Sequence, residues 1–256
     1  MTATPRVRSH NSARLRVLLA ALAAVLPCGP AAAEPLRAVV ELFTSQGCAA
    51  CRSADPVIGD LARQPGILAL TLPVTYWDYL GWKDTLAQRP FGERQHGYSG
   101  VHGARQMFTP QAVVNGSAST VGSDRPALEK LLRESSARGG LSVPVRGEER
   151  DERIVIEIGA EPVPKADLKG DVWLVPVLRS RPVAIGGGEN RGRTATYFNV
   201  VRGMQRLGPW TGQAVRFEVP RAAARVAEAD AWVVVVQGSA AGRPGRIYGA
   251  AKGPGL

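Results

Sequence analysis

Two cysteines separated by two alanines, Cys48-Ala49-Ala50-Cys51, stand where a run of strand-forming residues ends and a helical pattern begins. The run is Ala38-Val39-Val40-Glu41-Leu42-Phe43, and Val57, Ile58 and Leu61 share one face of the helix that follows. This junction constrains the chain more than any other feature. A spacing of three puts both sulfurs on one side of the first helical turn, within bonding reach of each other. A helix start also offers free N–H groups and partial positive charge, which favour the thiolate, the reactive form of cysteine.

The N-terminus bears on the compartment. Arg6, Arg8, Arg14 and Arg16 form a basic stretch, Leu18 to Leu26 a short apolar one, and Ala31-Ala32-Ala33 a small-x-small cleavage site. The expectation is a signal peptide over residues 1–33, cut after Ala33, and a periplasmic or secreted protein; an uncleaved anchor is the alternative. The apolar run is too short to remain as a membrane-spanning helix, and no stable membrane span is expected after cleavage. Cys28 is a poor lipid-attachment site, because Pro27 stands where a small residue should precede it. Removing Cys28 from the 3 cysteines leaves Cys48 and Cys51. A loop that small staples almost nothing, so the pair reads as chemical, against an inert local disulfide or a metal clip. The leader carries four Arg and no acid, so the net charge falls from +10 to +6. The basic residues are scattered among acids and no recognition motif accompanies them, so nucleic acid is not an expected partner.

Further along, Arg37 to Thr44 reads as a strand and Cys48 to Arg63 as a helix kinked at Pro56. Ile67 to Thr75 reads as a strand, and Asp84 to Tyr98 as a helix broken at Pro90. Gln111 to Asn115 and Ser119 to Val121 read as strands. A last helix is capped by Asp124, with Pro126 in its first turn. With Cys-x-x-Cys at the first strand–helix junction, this is the thioredoxin order. After Gly139-Gly140, seven short strands follow between Leu141 and Ala250, alternating clearly in Ile154-Val155-Ile156-Glu157-Ile158. The expected fold class is an α/β thioredoxin-like N-terminal domain over residues 34–139, followed by an all-β sandwich-like C-terminal domain over residues 140–256.

Glu41 to Cys51 resembles the active-site strand and turn of thioredoxins and protein disulfide isomerases. Thr109-Pro110-Gln111-Ala112-Val113-Val114-Asn115-Gly116 is similar to the cis-proline strand of glutaredoxins. Leu42 to Cys48, Tyr76 to Asp84, Thr109-Pro110-Gln111, Gly188 to Arg193 and Asn199-Val200-Val201-Arg202 together resemble an exported thioredoxin-like family, the domain-of-unknown-function family 1223. The resemblance spans both expected domains and implies a fold more than an activity. The chain departs from the family pattern in Ala49-Ala50 and Arg52-Ser53. It departs again in Thr75 and Phe198, where an acid and a histidine are expected, so no carboxylate or imidazole role carries over to those two positions.

Each candidate residue has a plain alternative. Cys48 is expected to be the exposed attacking thiol and Cys51 the deeper, resolving one. The resemblance implies that Glu41, an acid on the strand, accepts a proton from the buried cysteine. It lies seven residues before Cys48, one more than usual, and the loop Thr44 to Gly47 must absorb the extra residue. Otherwise Glu41 faces solvent or pairs with an Arg. The resemblance also implies a cis Thr109–Pro110 bond, with the Thr109 backbone pairing with an extended substrate; the alternative is a trans proline starting an edge strand. Trp77, with Tyr76, Tyr79 and Trp82, forms either an apolar wall of the substrate site or a buried interface between the domains. Arg52 either stabilises a thiolate or is a solvated side chain. Gly186-Gly187-Gly188 is not a dinucleotide fingerprint, since Arg191 stands where the third Gly belongs; it reads as a turn positioning Glu189, Asn190 and Arg193. His96 and His102 lack helical metal-site spacing, and no metal or other cofactor is expected. The leading functional expectation is an exported thiol–disulfide oxidoreductase. Its partners are protein or peptide thiols and disulfides, and a redox partner protein. A copper-handling protein using the same cysteines and a non-catalytic binding module are the alternatives.

Overall fold

Strand β1 (Ala38–Thr44) is buried at every position, as its unbroken apolar run requires. It pairs in parallel with β2 (Ile67–Pro73) and antiparallel with β3 (Gln111–Val114), which pairs with β4 (Ala118–Val121). The computed structural model describes residues 1–3, 35–101, 106–162, 168–240 and 242–256. The leader, its cleavage site, Cys28 and His102 lie outside the described residues.

Helices cover both faces of this sheet. Helix α1 (Ala54–Ala62) is preceded by a 3-10 turn, Ala49–Ser53, so Pro56 falls in the first turn of α1. There its missing N–H leaves no bond unmade, and the kink expected at Pro56 is replaced by a change of helix type. Helix α2 (Arg89–Val101) likewise begins one residue before Pro90 rather than being broken by it. Helix α3 (Arg125–Ala137) starts at Asp124, whose side chain accepts a hydrogen bond from the Ala127 N–H. Leu128 of α3 joins Ala54 and Ile58 of α1 against Val40 and Leu42, while Phe91 and Tyr98 of α2 pack with Val39 and Phe43 on the opposite face.

Among the described residues, the regular structure of the second half is strand apart from short 3-10 turns: β5 (Val145–Arg150), β6 (Arg153–Ile158), β7 (Gly170–Ala184), β8 (Thr194–Val201), β9 (Gln205–Trp210), β10 (Val215–Pro220), β11 (Ala231–Ala240) and β12 (Arg243–Lys252). Strands β10, β6 and β5 form a small sheet whose Ile154, Ile156 and Ile158 pack with Val172, Leu174, Trp232 and Val234. This two-layer packing is what a sandwich reading expects. Its larger layer, however, is not separate. The main sheet runs β12-β11-β7-β8-β2-β1-β3-β4, with β9 paired to β7, so it continues across the Gly139-Gly140 turn, and the chain from residue 34 on forms one compact unit. The architecture is mixed α/β, dominated by one large sheet.

The seam between β2 and β8 explains the continuity. They run parallel through the Thr71–Val200 register pair. The Thr71 hydroxyl donates to the Phe198 carbonyl (2.6 Å), and the Asn199 carboxamide donates to the Ala69 carbonyl (2.9 Å). Asn199 has φ of +47°, a left-handed conformation that Asn tolerates. Two side chains thereby extend a short ladder. Strand β9 escapes sequence reading because Gly208 and Pro209 lie inside it.

One buried ion pair spans these layers. Arg94 on α2 grips Glu41 on β1 with Nε to Oε1 (2.7 Å) and Nη2 to Oε2 (3.1 Å). Tyr98 donates to Glu41 Oε2, and Gln237 on β11 accepts from Arg94 (2.8 Å) and donates to Tyr98 (2.7 Å). Burial works against the Arg94 charge, but Glu41 and Tyr98 together outweigh it and raise the Arg94 pKa. Arg94→Met leaves a carboxylate buried and uncompensated, at an expected cost of about 3–5 kcal/mol, and adding Glu41→Leu recovers much of it. Denaturant unfolding checks this; a single-variant loss below about 1 kcal/mol would contradict it.

Candidate active site

The turn between β1 and the helix is held from three directions. Cys48 N–H donates to the Ser45 carbonyl (3.2 Å), which closes the turn. Gln46 N–H donates to Asp84 Oδ2 (2.8 Å). The Gln46 side-chain oxygen accepts from Trp82 Nε1 (2.8 Å) and Thr85 N–H (3.2 Å). From the second half of the chain, Asn190 donates to the carbonyls of both Gln46 (2.8 Å) and Cys48 (3.0 Å). The Gly186-Gly187-Gly188 run makes this reach possible. An added Cβ would meet Trp82 at 2.9 Å from Gly186 and the Gly81 carbonyl at 2.6 Å from Gly187, so only glycines let the loop lie flat there. Gly188, at φ of +67°, then turns the chain into the short 3-10 segment that ends at Asn190.

Cys48 and Cys51 are joined in a disulfide, with Cα atoms 5.4 Å apart. Cys48 was expected to be exposed, and the structure corrects this: Cys48 is 2 % and Cys51 1 % accessible. The Thr109 hydroxyl lies 3.3 Å from Cys48 Sγ, and the Trp77 indole N–H donates to that same hydroxyl at 2.7 Å. Together they cover the sulfur. The Thr109–Pro110 bond is cis, and the Thr109 carbonyl is 3.8 Å from Cys48 Sγ. Thr109 thus lies against the sulfur, with Trp77 bonded to its hydroxyl and Pro110 following it across the cis bond. Trp77 stacks on Tyr79, which is 76 % exposed, while Trp82 packs against the glycine loop. The aromatic segment thus divides, with Trp77 beside the sulfur and Trp82 against the loop from the second half of the chain. Arg52 is exposed.

Glu41 is not part of this gathering. Side chains alternate across β1, so Val40, Leu42 and Thr44 face α1 while Val39, Glu41 and Phe43 face α2. The extra residue in the spacing is not absorbed by the loop; it puts Glu41 on the face away from α1, bound to Arg94. The acid on the α1 side is Asp55, half-buried, which accepts a hydrogen bond from Thr44 Oγ1 at 3.4 Å. Burial pushes its pKa up to about 7; Thr44 and Arg193 pull it down and Asp84 pushes it up. Burial also raises Asp84, against the N–H groups of Gln46, Leu86 and Ala87. Tyr197 on β8 is raised by burial and by Asp55 and Asp84. Sequence reading missed Asp55, because its helical offset from Cys51 means nothing until β1 and β8 enclose it. It did single out the loop carrying Asn190 and Arg193. Glu189 of that loop is exposed, and His96 is exposed on α2. Among the described residues, no three His, Cys, Asp or Glu side chains are grouped to hold a metal ion.

The model of a family described as protein of unknown function (DUF1223) matches residues 39–237. The chain belongs to the DUF1223 family. The match takes in both cysteines, Thr109-Pro110 and Asn190, so the site lies wholly within the family region. This DUF1223 protein is similar to the solved structure of protein AGR_C_4864 from Agrobacterium tumefaciens: 32% identity, TM-score 0.77, covering 86% of this chain and 95% of that one. It shares a fold with HBP35 of Porphyromonas gingivalis at 10% identity and TM-score 0.53, over 86% of this chain and 75% of that one. No curated protein matches it.

Asn190→Ala leaves the buried Gln46 carbonyl without its donor, at an expected cost of about 1–3 kcal/mol. The loosened turn should also let a small thiol reduce the Cys48–Cys51 disulfide faster. Denaturant unfolding and reduction kinetics check this, and wild-type values in both would contradict it.

Proposed function

We propose that this DUF1223 protein is an exported thiol–disulfide oxidoreductase acting on protein or peptide cysteines through Cys48 and Cys51. We read β1-α1-β2-α2-β3-β4-α3 as a thioredoxin-like unit built into the larger sheet. The observation that carries the proposal is the chain Trp77 Nε1–H to Thr109 Oγ1 (2.7 Å) to Cys48 Sγ (3.3 Å). The indole N–H engages a lone pair of the hydroxyl oxygen, so the hydroxyl hydrogen can be donated to the sulfur. In the reduced form that hydrogen bond favours the Cys48 thiolate, the nucleophile of disulfide exchange.

The chemistry has two steps. Cys48 thiolate attacks a substrate disulfide, forming a mixed disulfide and releasing one substrate thiolate. Cys51 thiolate then attacks Cys48 Sγ, forming the Cys48–Cys51 bond and releasing the second. The protein dithiol loses two electrons and the substrate disulfide gains them; a redox partner resets the pair, and the reverse sequence oxidises a substrate dithiol. The basic and apolar leader supports action outside the cytoplasm, where such exchange has substrates. The exposed Tyr79 beside Trp77 supports a peptide substrate seated against an aromatic wall.

Cys51→Ser is expected to accumulate a mixed disulfide with a cysteine-containing peptide, whereas Cys48→Ser is expected to form none. Non-reducing electrophoresis with mass spectrometry reads the adducts. Trapping by the Cys48 variant instead would reverse the roles, and full exchange activity in both variants would reject the proposal.

A further inference from the structure

We propose that Asp55 is the proton acceptor for the Cys51 thiol during release of the mixed disulfide. This rests on the exchange reaction above and assigns it a residue outside the cysteines. Cys51 and Asp55 lie one helical turn apart along the continuous run from the 3-10 segment into α1, so their side chains rise on neighbouring sides of it. The hydrogen bond from Thr44 pins the Asp55 carboxyl at the end of β1, where that strand enters the cysteine turn. The groups that act on it come from several elements: Thr44 of β1 by a hydrogen bond, and Asp84 before α2 and Arg193 before β8 through their charges, while Tyr197 of β8 feels the Asp55 charge in turn. Asp84 also fixes the turn through Gln46 N–H, so one carboxylate both braces the cysteine turn and acts electrostatically on Asp55. Glu41 has no access to this chemistry, because it faces α2 and its oxygens are taken by Arg94 and Tyr98.

The step is a proton transfer followed by exchange. With Cys48 bonded to a substrate sulfur, the Cys51 S–H gives its proton to the Asp55 carboxylate, directly or through one water. The thiolate attacks Cys48 Sγ; the Cys48–substrate bond breaks and the Cys48–Cys51 bond forms. The departing substrate thiolate takes a proton from the Asp55 carboxylic acid or from water. A carboxyl raised to about 7 suits both halves of that exchange near neutral pH. Arg193, which opposes the rise, links this proton acceptor to the second half of the chain.

Stopped-flow reaction of the reduced protein with an aromatic disulfide such as dithiobis(nitrobenzoate) separates the two thiols. Cys48 attack releases the first thionitrobenzoate, and Cys51 attack on the mixed disulfide releases the second. In the wild type the second phase should slow as pH falls through about 7, as Asp55 takes up its proton. Asp55→Asn should leave the first phase intact and slow the second by about a hundredfold or more, with that inflection gone; Asp55→Glu should recover part of the rate. Arg193→Gln removes a charge that favours the carboxylate, so the inflection should move to higher pH. An intact first phase also reports that each variant is folded. A second phase with wild-type rate and pH profile in Asp55→Asn would overturn the assignment while leaving the exchange reaction standing. A wild-type protein that never releases the second chromophore would overturn both.

Discussion

One carboxamide ties the site to the second half of the chain. Asn190 bonds the Gln46 and Cys48 carbonyls across 144 and 142 residues of sequence, and with Asp84 and Trp82 it fixes the turn on which the cysteine geometry depends. The reach requires that the second half of the chain be fixed to the first. The sheet supplies that through β2 and β8, where Thr71 and Asn199 each bond the opposite backbone. A cysteine pair on a helix start needs only its own strand and helix to form. Here it is also braced by a loop that closes the gap between two parts of one sheet, so the second half is part of the site's framework rather than an appendage.

The two faces of β1 divide the polar chemistry. The α2 face buries a fully satisfied ion pair, Glu41 with Arg94, tied to Tyr98 and Gln237. Such a pair positions α2 against β1 and β11, and its carboxylate has no spare acceptor role. The α1 face holds Thr44 and Asp55, the latter pushed up to about 7 by burial. A single-residue change in spacing between strand and cysteines decides on which face of β1 the strand's acid falls, because strand side chains alternate with period two.

Local pattern made much of this legible. The Cys-x-x-Cys junction, the strands of the first half and the cap at Asp124 all follow from short stretches whose residues act on their neighbours, whereas the cis bond before Pro110 comes only from the resemblance of its strand to that of glutaredoxins. The Gly186 to Arg193 loop was legible as a turn with polar cargo, though not which residue would touch the site. Contacts between distant segments were illegible. The β2–β8 seam depends on Thr71 and Asn199, which read as ordinary strand residues. The side of β1 on which Glu41 falls depends on whether a loop absorbs one residue. Asp55 becomes distinctive only when Asp84, Arg193 and Tyr197 are folded around it.

The central claim is that Cys48 and Cys51 form a working redox couple rather than a structural staple. Equilibrating the protein against defined thiol–disulfide buffers and quantifying the free thiols gives the reduction potential of the pair. The account predicts a value in the window spanned by dithiol oxidoreductases, about −120 to −270 mV. A value below about −300 mV, in the range of structural disulfides that resist reduction, would contradict it.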